Sequence, residues 1–226
     1  GAAGAPPAFA SNRDVRKTTT AYDAMSRVVR ATDALNQYEE YTYNPLGQVT
    51  ALRNKNGNIW NYEYDAAGRR TAEISPDVWI ASVDSAGTQS YGVRRIATRT
   101  EYDALGNVIR RLEDADGGRA RITRYEYDNR GNQIRTIFPD AGKIDPANGQ
   151  LIASGIQPTI EIIYDALGRA VVQKDVRGNY SYKVYDARGQ LAYDIDQENY
   201  VTRNSYDGFG QETQLRRDEA RLNTAP

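Results

Sequence analysis

The chain has 226 residues, enough for one large domain or two small ones, and balances 29 Lys and Arg against 30 Asp and Glu for a net charge of −1. That balance lacks the basic excess of a nucleic-acid binder, so no nucleic-acid partner is expected. The absence of Cys and His excludes disulfides, thiolate metal sites and the commonest general base. Metal binding would need all-oxygen sites, no loop has the EF-hand arrangement of acids, and no cofactor is expected.

The opening "GAAGAPPAFA" lacks the basic start and apolar core of a signal peptide, and residues 1–14 read as a flexible lead-in. From about residue 15 to 217 the chain repeats itself. Tyr anchors stand at Tyr22, Tyr43, Tyr64, Tyr102, Tyr127, Tyr164, Tyr185 and Tyr206, at intervals of 21, 21, 38, 25, 37, 21 and 21 residues. Acidic residues follow them: Asp23, Asp65, Asp103, Asp128, Asp165, Asp186 and Asp207, with Asn44 in the second unit. Four residues after the Tyr come Gly47, Gly68, Gly106, Gly131, Gly168, Gly189 and Gly210, with Ser26 in the first unit. A fixed phrase at a fixed period marks an architectural unit rather than a catalytic loop.

Within a unit, alternating β-formers such as "TRYEYD" (123–128) precede the Asp and place Tyr125 and Tyr127 on one face. Asp suits the first position of a type I turn, and Gly supplies positive φ at its end, as in a three-residue hairpin loop closed by a bulge. A second strand follows, and "NKNGN" (54–58), "DADGG" (114–118) or "DVRGN" (175–179) then returns the chain. One unit is therefore one hairpin. Eight hairpins predict an all-β fold of about sixteen strands, paired edge to edge in a continuous antiparallel sheet and nearly free of helix. Twist of roughly −20° to −25° per strand requires such a sheet to curve. Insertions at residues 76–97 and 139–158 carry enough apolar residues (Trp79, Ile80, Val83; Ile144, Leu151, Ile152, Ile156) to predict ordered loops or extra hairpins folded back onto the sheet. Residues 218–226 read as a tail. No apolar run approaches the roughly 18 residues of a membrane-spanning helix, so no membrane span is expected. With 17 Tyr against three Phe, at least one face of the sheet is expected to meet water or a partner.

The phrases "YDALGRAVVQKDVRGN" (164–179) and "YDARGQLAYDIDQEN" (185–199) resemble the YD repeat of the RHS superfamily. That group includes bacterial Rhs polymorphic toxins, the B and C components of insecticidal toxin complexes, and teneurins. The resemblance implies a sheet that spirals into the wall of a hollow shell, which in toxin members holds a C-terminal effector. It implies a non-enzymatic structural module, secreted or at the cell surface, whose partners are the remainder of its own shell, an enclosed effector and, as a further class, glycans. The alternative is an adhesion or carbohydrate-binding repeat module. Closed shells use many more than eight repeats, so this chain would be a wall segment.

Three other chemistries are weaker. Toxin members cleave themselves near the end of the core, but "IDPANGQLIASG" (144–155) lacks the cleavage signature and three repeats follow it. The repeated Asp residues could be imagined as paired catalytic carboxylates, yet a turn role explains their recurrence and a single active site does not. Arg94-Arg95, Arg110-Arg111 and "RARITR" (119–124) could bind anions. Stacking on Tyr and cross-strand pairing with acids account for them better. No catalytic or metal residue is assigned.

Overall fold

The computed structural model describes residues 17–83, 87–116, 120–147 and 151–222. Residues 1–14, Gly118 and the Asn148-Gly149 pair lie outside the described residues. The described chain is all-β, with no helix. It divides into two compact units, residues 1–97 and 98–226.

The first unit holds β1 (Thr19–Tyr22), β2 (Val28–Thr32), β3 (Tyr38–Tyr43), β4 (Val49–Arg53), β5 (Ile59–Tyr64), β6 (Arg70–Val83) and most of β7 (Gln89–Tyr102). In the second unit β7 continues into β8 (Val108–Glu113), β9 (Arg121–Tyr127), β10 (Gln133–Ile137), β13 (Thr159–Tyr164), β14 (Ala170–Lys174), β15 (Tyr180–Tyr185), β16 (Leu191–Ile195), β17 (Tyr200–Tyr206) and β18 (Glu212–Arg221). The two-residue strands β11 (Lys143–Ile144) and β12 (Leu151–Ile152) pair only with each other. The other sixteen form one antiparallel sheet in which every strand is bonded to its neighbour in sequence, β10 stepping directly to β13.

Register explains the period. In all eight hairpins the anchor Tyr pairs with the residue six positions later: Tyr22 with Val28, Tyr43 with Val49, Tyr64 with Arg70, Tyr102 with Val108, Tyr127 with Gln133, Tyr164 with Ala170, Tyr185 with Leu191 and Tyr206 with Glu212. One residue beyond each pair bulges out, so Thr42 faces Ala51 while Tyr43 faces Val49. A bulge locally raises twist and bends its strand. The returning turns lack this shift: Thr32 faces Tyr38 and Ala31 faces Glu39 in step.

Among the described residues no second layer covers the sheet. Among the described residues only Ala72, Ala97, Thr136, Ile195 and Val201 are buried, and no large side chain is fully enclosed. Support comes instead from contacts within the sheet. In the second unit a rung of alternating charge crosses four strands: Glu126 to Arg135 at 3.6 Å, Arg135 to Glu161 at 2.9 Å, Glu161 to Lys174 at 3.6 Å. In the first unit the Tyr38 ring lies between the Arg30 and Arg53 guanidinium groups, 3.5 and 4.3 Å from its centroid. Exposed cross-strand pairs of this kind contribute a few tenths of a kcal/mol up to about 1 kcal/mol each.

The insertions depart from the expected shape. Residues 76–83 and 89–97 do not fold back; they lengthen β6 and β7 to fourteen residues apiece. The exposure of "YGVRR" (91–95), with four of its five residues exposed, suits an extended ladder in water. The second insertion is tied by Asp140, whose carboxylate accepts bonds from the Gly142 N–H at 2.7 Å, the Gly155 N–H at 2.7 Å, the Ser154 N–H at 3.2 Å and the Ser154 hydroxyl. The first part of the expected tail is strand, because β18 runs to Arg221, which pairs with Tyr200, and residues 223–226 lie outside the described residues.

Candidate functional surface along the Tyr-Asp edge

Each Tyr-Asp turn is built by the same bonds. Asp65 donates its N–H to the Arg69 carbonyl at 3.0 Å, and Gly68 donates back to the Asp65 carbonyl at 3.0 Å. The Asp65 carboxylate accepts the Ala67 N–H at 3.0 Å and the Arg69 N–H at 2.9 Å through Oδ1, and Arg69 Nε at 2.7 Å through Oδ2. Asp23 with Arg27 and Asp165 with Arg169 repeat the arrangement. The backbone N–H of the residue four on, aided by its guanidinium, holds the Asp23, Asp65 and Asp165 carboxyls below their ordinary range. Asn107 and Asn132 take the Arg role toward Asp103 and Asp128. Asn44 accepts the two backbone bonds as an Asp would, but its amide nitrogen must donate, and it meets Gln48 Oε1 at 2.8 Å.

Gly47, Gly68, Gly106, Gly131, Gly168, Gly189 and Gly210 all have φ between +79° and +93°, and Ser26 adopts +60° in the first unit. The Tyr hydroxyls then link hairpins. Tyr43 donates to the Val28 carbonyl at 2.7 Å, Tyr64 to Val49 at 2.8 Å, Tyr127 to Val108 at 2.9 Å, Tyr164 to Gln133 at 3.1 Å and Tyr206 to Leu191 at 3.0 Å. Each accepting carbonyl belongs to the first residue of the previous hairpin's second strand. The residue after the Gly bridges onward as well. Arg27 Nη1 reaches the Asn44 carbonyl at 3.2 Å, Gln48 Nε2 the Gly68 carbonyl at 2.7 Å, and Gln190 Nε2 the Gly210 carbonyl at 3.2 Å. Arg27 and Arg169 also lie 4.6 and 4.2 Å from the ring centroids of the next anchors, Tyr43 and Tyr185.

The repeat residues are thus brought together as a stitched edge. Among the described residues no group of three or more His, Cys, Asp or Glu is placed to hold a metal. Two parts of this system escaped the sequence reading. Asp33 and Asp196 build the same turn on the opposite edge, where Asn36 and Asn199 take φ of +64° and +66° in place of Gly. The signal was the spacing D-x-x-N, since Asn tolerates the left-handed region. The bridging role of Gln48 and Gln190 left no signal, because that position accepts Arg, Asn or Gln.

A family model described as RHS Repeat matches residues 43–77 and 95–143. Among solved structures, the crystal structure of TcdB2-TccC3 without its hypervariable C-terminal region superposes with a TM-score of 0.50 at 15% identity, over 89% of this chain and 11% of that one. RHS repeats therefore stand within residues 43–143 of this chain. Its fold is the RHS sheet, and the YD edge described above is the part of it that carries the signature. A Photorhabdus luminescens Tc holotoxin pore structure aligns with 90% of this chain at 13% identity and a TM-score of 0.20, covering 16% of that chain. No curated protein matches. The chain thus spans about a ninth of the TcdB2-TccC3 chain that it superposes on.

Proposed function

We propose that this chain is a structural, non-enzymatic wall segment of an RHS-type shell that encloses or presents an effector polypeptide outside the producing cell. What carries the reading is the strictly sequential ladder, stitched hairpin to hairpin by the anchor Tyr hydroxyls, with no covering layer. Such a sheet makes a stiff surface that is wet or partnered on both faces, as a wall requires. Its partners are then further repeats of the same wall and the enclosed chain. The repeated carboxylates have their acceptor sites filled by local backbone donors, which suits scaffold better than chemistry.

The test is excision of one whole repeat, Tyr185–Ser205, from the full-length parent protein, followed by limited proteolysis. A wall shortened by one hairpin should keep its sheet yet leave the effector open to trypsin at conditions where the parent protects it. Protection that is equal in both, or an effector already cleaved in the parent, would overturn the reading.

A further inference from the structure

On one face of the second unit, acids and bases alternate from strand to strand. Arg110 Nη1 donates to both Glu101 oxygens, at 2.9 and 2.8 Å. The rung from Glu126 through Arg135 and Glu161 to Lys174 lies on the same face, because Glu126 stands two residues beyond Arg124 on β9 and Arg124 is the ladder partner of Arg110. The alternation fails at that one step. Arg110 and Arg124 are directly opposite each other, and like charges so placed repel. The other Arg–Arg pair of this unit, Arg203 with Arg216, is bridged by Asp218, 3.1 and 3.7 Å away. Nothing does this for Arg124: it is half-buried, and among the described residues it has no acid, ring or carbonyl partner. Arg110, Arg124, Arg135 and Lys174 therefore meet only Glu101, Glu126 and Glu161, four cations against three carboxylates. The ring stacking that serves Arg30 and the acid that serves Arg111 do not extend to Arg124.

We infer that Arg124 is the docking point for a carboxylate of a partner polypeptide, specifically a Glu side chain. The charge left over on this face is a single positive one, which one carboxylate neutralises and a phosphate dianion exceeds. The surroundings fit the stem of the incoming residue. Ile122 lies two residues away on the same face of β9, and Ile137 stands directly across on β10. An aliphatic stem thus meets apolar side chains while its carboxylate meets the planar guanidinium fork. Half-burial weakens solvent screening of that contact. The partner's Glu takes up, from outside the sheet, the place that Glu101, Glu126 and Glu161 fill beside their own cations within it. The inference rests on this charge pattern and does not depend on the chain being a wall.

Fluorescence anisotropy of a labelled octapeptide alternating Glu and Ser, titrated with the chain at low ionic strength, tests this. Saturable binding is expected, with the dissociation constant raised about fivefold or more by R124Q, or by Gln in place of Glu in the peptide. R177Q removes the same charge from an exposed turn of the same unit and should leave the constant unchanged. A second variant separates docking from a structural role. R124E supplies the missing carboxylate from within, so it should abolish peptide binding yet melt no lower than the parent, because opposite charges then face each other across β8 and β9. No binding, equal losses in R124Q and R177Q, or a lower melting temperature in R124E would overturn the inference. So would displacement of the peptide by inorganic phosphate at lower concentration than by acetate, at matched ionic strength. None of these outcomes bears on whether the chain forms part of a wall, which the excision experiment addresses separately.

Discussion

At the scale of single residues, the turn chemistry separates what the backbone demands from what it tolerates. Gly68 and Gly131 share φ near +84°, but a Cβ on Gly68 would stand 3.1 Å from Gln48 Nε2, while one on Gly131 would meet nothing within 4 Å. Both Gly-to-Ala changes strain the left-handed backbone by about 1 kcal/mol. G68A should cost more than G131A in urea unfolding, because it also displaces the Gln48 bridge. The carboxylates set the acid limit. Bonds from the Ser154 hydroxyl and from the Gly142, Gly155 and Ser154 N–H groups pull Asp140 down to about 2. A depressed folded value means stability that is complete above the unfolded value near 4 and is lost as pH falls toward 2. Thermal melts should thus decline between pH 4 and pH 2, and D140N should melt lower at pH 7 but show a shallower decline over that window.

At the scale of the hairpin, Tyr serves as strand former, half-buried ring and cross-hairpin donor at once. Tyr64→Phe keeps the ring and removes only the 2.8 Å bond to Val49, so it should cost roughly 0.5–1.5 kcal/mol in chemical denaturation. An unchanged midpoint would mean that the hydroxyl linkage contributes nothing. The hairpins themselves were legible because Tyr, Asp and Gly are each needed locally: alternation makes the strand, the carboxylate starts the turn, and Gly ends it. Less legible were elements whose partners are distant in sequence. The returning turns at Asp33 and Asp196 hid behind Asn, and the insertion at 76–97 gave no sign that it would lengthen β6 and β7 rather than cover them. An exposed ladder and a folded-back hairpin share the same alternation.

At the scale of the whole molecule, each hairpin is bonded only to its neighbours in sequence, so stability should accumulate roughly as a sum of repeat and interface terms. Removing Tyr185–Ser205 from this chain, one full 21-residue period, should join Tyr164–Val184 to Tyr206 with the bulge and pairing preserved, and lower the urea m-value in proportion to the lost surface. Removing ten residues instead should place side chains on the wrong face and abolish cooperative unfolding. Equal behaviour of the two deletions would contradict a modular sheet.

All eight Tyr-Asp loops have one length, whereas every insertion lies at a returning turn: β6 to β7, β8 to β9, and β10 to β13. The inter-turn bonds explain the asymmetry. Lengthening a Tyr-Asp loop would pull Gln48 from Gly68 or Arg27 from Asn44. One hem of the fabric keeps a fixed length and the other takes added stitches. New binding specificities grafted onto this scaffold should therefore be accepted along the second margin and rejected along the first.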